Sequence, residues 1–253
     1  MNTLWIAGVA FGATFGGFFL GLILQRVIPD HHTSGESRDT MKMGLGLIAT
    51  LTALVLGLLV ATTKGSYDSQ ASAIRELAST ISLMDRILVR YGPEASDCRV
   101  LLRQGTSQLL DQMWPEESAN PAQVGSPGPR RSGEALFDML SELKPTTEAQ
   151  KLLRSRALDL TVSLGQIRQK LISQQESAIP TAFLVVLISW LSILFACYGL
   201  LTPWNLTVLI VHLVCMISVA SAVFLVLELD RPFQGIIRVP NAPLKSAFER
   251  LSE

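Results

Sequence analysis

Three ionisable side chains lie in or beside the last long apolar stretch of the sequence, residues 206–228. His212 is inside this stretch, and Glu228 and Asp230 are at its end. Charging a group inside a hydrocarbon layer is costly, so such residues are candidate ion-binding or gating sites. The simpler alternative for His212 is a neutral imidazole that bonds to a hydroxyl or a carbonyl. For the two acids it is a pair with an arginine such as Arg231, or capping of the segment that follows.

A second candidate set follows the helical repeat of residues 43–63. Small and hydroxyl residues recur there at steps of three or four, which places them on one helical face: Gly46, Thr50, Ala53, Gly57 and Ala61. The same face continues to Lys64 and Asp68. Such a stripe permits either close packing of another helix or an open wall with room for water and ions. The sequence leaves both alternatives open. Thr52 and Thr63 share another face, where backbone carbonyls four residues earlier can accept from their hydroxyls.

Other kinds of chemistry have no pattern in this sequence. It has no nucleophile elbow, no HExxH motif, no phosphate-binding loop and no pair of intramembrane aspartates. The three cysteines are far apart, so we interpret them as free thiols. The adjacent His31 and His32 lie in a predicted loop, residues 29–42, and we interpret them as exposed to solvent. The formal net charge is zero, which gives no basic field for nucleic acid. We expect no enzymatic activity, no cofactor, no metal site and no nucleic-acid partner.

Four apolar stretches must position the candidate residues. About 20 apolar residues suffice to cross a hydrocarbon layer, and each stretch has this length: 4–28, 43–63, 178–201 and 206–228. Hydrophobic residues make up 49% of the chain and charged residues 17%, with a mean hydropathy of +0.37. The sequence therefore predicts an all-α membrane protein with four transmembrane helices. We divide it into a transmembrane hairpin, a cytosolic helical domain inserted between spans 2 and 3, a second hairpin and a cytosolic tail: 1–63, 64–177, 178–229 and 230–253.

Glycines with a period of four mark the first span. Gly8, Gly12 and Gly16 lie on one face, and Gly17 and Gly21 follow. No Lys or Arg precedes this stretch and it is too long for a signal peptide, so we expect a retained span. Glycines at this spacing let another backbone approach closely. The partner is either another span of the same chain or another copy.

The inserted segment is polar with a helical pattern. Apolar residues from Ile74 to Tyr91 keep a spacing of three and four, so the second span is predicted to continue to about Gly92. Further helices are predicted at about 94–113 and 133–143, and a long one starts near Pro145, with either threonine of Thr146-Thr147 as its cap. Residues 115–132 are rich in Pro, Gly and Ser and predict a loop.

Basic residues near the ends of the spans predict the orientation. Lys64, Lys170, Arg231 and Arg238 would lie on one side, and Arg26, Arg38 and Lys42 on the other. Loops that carry more Lys and Arg remain in the cytoplasm. We therefore expect both termini and the helical domain to be cytoplasmic.

The most specific motif is at the exit of the last span, Glu228-Leu229-Asp230-Arg231-Pro232-Phe233-x-Gly235. Further motifs accompany it: Pro203-x-Asn205, Ser218-Val219-Ala220, Val239, Gly57-Leu58-Leu59 leading to Tyr67 and Asp68, Glu76, and Trp114-Pro115. Together they resemble the bestrophin-like domain family of bacterial membrane proteins, over nearly all of the chain.

The resemblance implies the same layout of helices in the bacterial inner membrane. Bestrophins proper are pentameric ion channels whose second span lines the pore. This implies a homo-oligomeric channel whose partners are the lipid bilayer, further copies of the chain and small inorganic ions. Thr50, Ala53 and Gly57 would line the membrane part, and Lys64 and Asp68 the cytoplasmic mouth. The alternative is a non-conducting scaffold or signalling protein whose cytosolic domain binds a partner.

Two features depart from the bestrophin pattern. Bestrophin pores have aromatic and isoleucine constrictions, whereas residues 43–63 contain no aromatic residue. The bestrophin calcium clasp uses a longer run of acids than Glu228 and Asp230 provide, and calcium takes about six to eight oxygen ligands. Any constriction would therefore use Leu, Val or Thr, and a calcium site would need ligands from other segments.

Overall fold

A computed structural model describes residues 3–27, 35–114, 129–173, 179–203, 205–233 and 235–251. Every regular element in these ranges is helical. The α-helices are α1 (Thr3–Val27), α2 (Gly35–Tyr91), α3 (Ser96–Met113), α4 (Pro129–Glu142), α5 (Glu148–Ser173), α6 (Thr181–Leu201), α7 (Leu206–Leu229) and α8 (Ala242–Arg250). The chain forms two compact units. The first comprises residues 1–66, 177–231 and 235–237, and the second comprises 67–176, 232–234 and 238–253.

Four of the described helices are long and apolar enough to cross a membrane: α1, α2, α6 and α7. They coincide with the four predicted apolar stretches. The predicted continuation of the second span is also present, because α2 is a single helix of 57 residues.

The start of α2 differs from the prediction of a loop over residues 29–42. The helix begins at Gly35, and its first turns carry polar residues, among them an ion pair in which Lys42 Nζ donates to Asp39 Oδ1 at 3.2 Å. An ion pair between residues three apart is compatible with a helix. The polar composition of this segment was therefore not sufficient evidence for a loop. His31 and His32 lie outside the described residues.

The boundaries of α4 and α6 also differ from the predictions, and a further helix, α8, was not predicted. α4 begins at Pro129 rather than 133, which suits a proline because its missing N–H has no helical partner at that end. α6 begins at Thr181 rather than 178, because Pro180 precedes it in an extended conformation with ψ 132°. α8 lies in the predicted tail. The buried Leu244 and Ala247 of α8 and Leu251, its C-cap residue, have the spacing of a helix, a signal that the sequence already contained.

In the first unit, α1 packs against α6 and α7. The contact with α6 depends on glycine. A Cβ atom built at Gly17 would lie 2.5 Å from the Ser192 carbonyl oxygen, and one at Gly21 would lie 2.8 Å from the Ala196 carbonyl carbon. In return, a Cβ at Gly199 of α6 would lie 3.1 Å from the backbone nitrogen of Leu22. The two backbones therefore approach closely from both sides.

Replacing Gly21 by alanine is expected to destabilise the protein by about 1–3 kcal/mol, because the new methyl group must push a backbone away. Gly44→Ala is the matched control, since Gly44 lies inside α2 and a Cβ there meets nothing within 4 Å. Both changes raise helix propensity by about 1 kcal/mol, so the difference isolates the steric effect. Thermal unfolding of the purified variants in one detergent measures it. Equal melting temperatures would show that α1 and α6 do not pack in this way.

The second unit has its own apolar core, built from α2, α3, α4, α5 and α8. Its largest fully buried side chains include Ile74, Leu77, Met84, Leu140 and Leu244. Beside it, Arg99 Nε donates to Asp85 Oδ1 at 2.7 Å and ties α3 to α2.

Cys98 belongs to the same core and is fully buried. Burial raises the pKa of its thiol, and the nearby Asp97 adds to this. The thiol is therefore protonated at neutral pH and behaves as a small apolar group. Cys98, Cys197 and Cys215 are all free, as the sequence predicts.

Candidate ion path and the turn after the last span

The small-residue stripe of α2 faces away from the rest of the first unit. Gly46, Thr50, Ala53, Gly57 and Ala61 are all exposed. A Cβ built at Gly46 or Gly57 meets nothing within 4 Å. The Thr50 hydroxyl donates to the Gly46 carbonyl at 2.8 Å, so its oxygen remains free to accept a hydrogen bond from water or to contact a cation.

The opposite side of α2 is the one that packs. Leu45, Thr52, Leu59 and Thr63 are exposed by 5%, 4%, 8% and 0%. The hydroxyls of Thr52 and Thr63 donate to the carbonyls of Ile48 and Leu59 at 2.7 and 2.9 Å, as predicted. The packing face and the stripe are therefore different sides of one helix. Among the described residues, the stripe serves no close packing within its own chain.

Lys64 and Asp68 are exposed and lie on the same unbroken helix as Gly57. At about 100° per residue, they are within about 20° of Gly57 around the axis. The stripe of small residues thus leads directly to one positive and one negative charge, one turn apart.

The predicted packing glycines of α1 fall into two groups. A Cβ built at Gly8, Gly12 or Gly16 meets nothing within 4 Å, whereas Gly17 and Gly21 contact α6. The sequence left two possible partners for Gly8, Gly12 and Gly16, another span of the same chain or another copy. Among the described residues, no span of the same chain packs closely against these three glycines. Periodicity alone favours the series of three glycines, Gly8, Gly12 and Gly16, as the packing face. The spacing shows which residues share a face, but it carries no information on which neighbour lies against that face.

His212 lies between aromatic rings of the first unit. Its Nδ1 is 2.8 Å from the Val208 carbonyl, so Nδ1 carries the proton and donates it. The imidazole stacks on Phe18 with 4.9 Å between ring centroids and meets Tyr198 edge-on at 5.8 Å. The structure therefore agrees with the simpler alternative for His212, an imidazole that is hydrogen-bonded to a carbonyl.

Glu228 is buried, with 2% exposure, at the last turn of α7. Its Oε2 accepts from the backbone N–H of Ile236 at 2.6 Å and of Ile237 at 3.4 Å. Gly235 makes this turn possible. Its φ is +98°, and a Cβ there would collide with the Glu228 carboxylate. Glu228 therefore caps the segment that follows, which is one of the simpler alternatives for this residue. Asp230 is the half-buried C-cap residue of α7.

Removing the carboxylate with Glu228→Ala is expected to lower stability by about 1–2 kcal/mol, because two N–H groups lose a charged acceptor. Glu228→Gln keeps one acceptor oxygen and should cost less. Gly235→Ala should be destabilising by a different route, backbone strain and the collision with Glu228. Melting temperatures in detergent rank the three variants. Unchanged melting in Glu228→Ala would contradict the capping role.

Several motif residues of the second unit converge on the segment after this turn. Trp114 Nε1 donates to the Val239 carbonyl at 3.1 Å, and the Trp114 ring meets Phe233 edge-on at 5.6 Å. The Tyr67 hydroxyl donates to the Arg238 carbonyl at 3.1 Å. These residues are far apart in sequence, so composition and spacing alone give no sign that they meet.

The comparison with protein families covers most of the chain. A model of the Bestrophin-like domain matches residues 12–244. The chain belongs to the bestrophin-like family. The predicted resemblance is therefore confirmed. The family and the apolar helices together support a membrane protein. None of the curated protein sequences matches the chain.

Solved structures share the fold of this bestrophin-like protein. The crystal structure of a point mutant of a bacterial bestrophin homologue from Klebsiella pneumoniae matches with a TM-score of 0.62 and 15% identity, covering 100% of both chains. Another structure of that homologue, solved by Zn-SAD phasing, has a TM-score of 0.59 and 17% identity and covers 94% of this chain and 96% of the other. The crystal structure of a mutant of a protein described as a membrane protein matches with a TM-score of 0.66 and 13% identity, and the match covers 94% of this chain and 97% of the other.

Proposed function

We propose that this bestrophin-like protein assembles as a homo-oligomer and conducts small inorganic ions along an axis that α2 lines. The observation that carries the proposal is the orientation of the stripe. Gly57 and its neighbours are exposed and open, while Leu45 and Leu59 on the other side of the same helix are buried. A helix that lines a shared axis needs its packing face and its open face separated in this way.

The composition of the stripe suits a water-filled path. Gly46, Ala53, Gly57 and Ala61 take little space, and Thr50 supplies a hydroxyl oxygen. Exposed Leu47, Leu54 and Leu58 flank the stripe and are 64%, 70% and 64% exposed in the single chain. In the assembly these leucines would pack against neighbouring copies of α2 or against lipid. Any constriction in the membrane part would be aliphatic and would close by excluding water.

The assembly would use further surfaces of the first unit. The open face of α1 at Gly8, Gly12 and Gly16 permits a close helix contact with a second copy. Five subunits is the number that the resemblance to bestrophins implies. His212, Glu228 and Asp230 would act on gating through the position of α7, because Glu228 holds the backbone after that helix.

The proposal includes the membrane in which the protein lies and the orientation of the chain in that membrane. Both termini and residues 64–177 would lie in the cytoplasm, with α1, α2, α6 and α7 crossing the bacterial inner membrane. Lys64 and Asp68 would then form the cytoplasmic mouth of the path. Their charges have opposite signs and lie one turn apart, so the wild-type mouth has no net charge from this pair.

The test is ion flux through the purified protein in liposomes, with its mass in detergent determined in parallel. Flux of K⁺ or Cl⁻ above that of protein-free liposomes, from a preparation with the mass of an oligomer, supports the proposal. An oligomer that conducts no ion across a range of pH and calcium concentrations would favour the non-conducting scaffold. A monomer would contradict a shared axis.

A further inference from the structure

The second unit contains a cavity of about 710 Å³ between α2, α3, α4 and α5. Sites for small molecules typically have volumes of about 300–1,000 Å³ and are lined by apolar side chains with a few polar groups. All the residues that line the cavity belong to the second unit, so it is distinct from the stripe on α2 and from the turn after α7.

The cavity has an apolar floor and an apolar rim. Leu77, Leu102 and Leu136 line it and are almost fully buried. At the rim, Phe137 and Ile172 are 41% and 43% exposed. Leucines on the floor and apolar side chains at the rim favour an aliphatic chain, because each methylene that leaves water there contributes to binding.

The polar groups at the wall fall into two kinds. The hydroxyls of Thr106 and Thr161 donate to carbonyls of their own helices at 2.8 and 2.9 Å, and the Ser132 hydroxyl donates to Gln108 Oε1 at 3.1 Å, so the protons of all three already have acceptors within the protein. The second kind comprises the charged groups Arg168 and Glu134, which also interact within the protein, and the side-chain amide of Gln169. The guanidinium of an arginine presents several donors in a fork that matches a carboxylate. Glu134 disfavours a head group with two negative charges, which makes a monocarboxylate a better match than a phosphate monoester.

Two glycines enlarge the cavity. Gly133 of α4 and Gly165 of α5 line it, and a Cβ built at either meets nothing within 4 Å. Glycine inside a helix weakens the helix relative to alanine. Neither glycine is required by a close approach of backbones, unlike Gly21 in the first unit. Their effect here is to leave volume that side chains would otherwise occupy.

We propose that this cavity binds a monocarboxylic acid with an aliphatic chain. The chain lies along the leucines of the floor, and the carboxylate is held at Arg168. The proposal concerns binding in the second unit and stands or falls independently of ion conduction.

The test uses the full-length protein in lipid nanodiscs and dodecanoic acid that carries a photoreactive diazirine near its tail. After illumination, mass spectrometry quantifies the label on peptides of α4 and α5 separately from label on α1, α6 and α7. Label on the spans reports probe dissolved in the bilayer and serves as an internal reference. The expected result is saturable label on α4 and α5. Its absence there would overturn the proposal.

Variants test whether the label marks the cavity. Gly165→Leu fills the open volume and is expected to reduce label on α4 and α5 at least about fivefold. Gln166→Leu adds a similar side chain at the next position, which is exposed and does not line the cavity, and should leave the label unchanged. Label that persists in Gly165→Leu would contradict binding in the cavity.

A competition experiment tests the head group without requiring Gly165→Leu to fold. Unlabelled dodecanoic acid should compete about tenfold better than dodecanol, because only the acid forms a charge-assisted bond with Arg168. Arg168→Gln should remove that difference. Equal competition by the acid and the alcohol in the wild type would overturn the assignment to a carboxylate.

Discussion

Liposomes containing Gly57→Leu are expected to conduct ions at least about tenfold more slowly than liposomes containing the wild type. Gly57 belongs to the stripe, and a Cβ there meets nothing within 4 Å in the single chain. The leucine therefore causes no collision within its own chain. In an assembly around a shared axis, however, each subunit would add one isobutyl group at the same depth. Such a ring narrows the path and excludes water from it.

Gly44→Leu is the matched control for this experiment. Gly44 is on the same helix, is exposed, and also has nothing within 4 Å of a built Cβ. It lies about 140° from Gly57 around the axis, away from the stripe. The control should retain wild-type flux, and both variants should have the wild-type mass in detergent. If Gly57→Leu conducts as well as Gly44→Leu, the path is not lined by this face of α2.

Reversing the charge of Lys64 is expected to make the path prefer cations. In the wild type, Lys64 and Asp68 lie one turn apart and offset each other. Lys64→Glu gives each subunit two negative charges at the mouth, and several subunits multiply the effect. A ring of one sign raises the local concentration of counter-ions, here cations, by about tenfold or more at low salt. Asp68→Lys makes the opposite change and should favour anions.

The measurement is the reversal potential in planar bilayers with a salt gradient, which gives the ratio of cation to anion permeability. Lys170→Glu is the control, because it changes the net charge by the same amount at an exposed position of α5. The shifts produced by Lys64→Glu and Asp68→Lys should shrink as salt rises, since screening shortens the reach of exposed charges. Equal permeability ratios in Lys64→Glu and Lys170→Glu would place Lys64 outside the path.

The helical content of the chain could be predicted from periodicity and hydropathy alone. The four apolar stretches coincide with α1, α2, α6 and α7, and the spacing of Ile74 to Tyr91 predicts that α2 continues beyond the membrane-length segment. The predicted helix boundaries were less accurate where polar residues begin a helix, as at Gly35. In a sequence, Pro180 is compatible with either the start of a helix or a kink within one, and its extended backbone in the structure shows that α6 starts after it, at Thr181.

The roles of the acids at the end of the last span required the structure. The sequence places Glu228 beside Arg231, which suggests an ion pair. The structure instead turns the chain back at Gly235, so that the carboxylate meets two backbone N–H groups eight and nine residues further on. A turn of this kind depends on the φ of +98° at Gly235, and a glycine in a sequence permits such an angle without requiring it.

By itself, the sequence determined that the chain is built of apolar and amphipathic helices and that small residues follow one face of α1 and one face of α2. It could not determine which of those faces is buried, because small residues are equally compatible with close packing and with an open wall. Only the tertiary structure brings α6 against Gly17 and Gly21 and leaves Gly8, Gly12 and Gly16 open. In the same way, it buries Leu59 and leaves Gly57 exposed. The physical reason is that the burial of a helical face depends on neighbours more than a hundred residues away, which local periodicity does not encode.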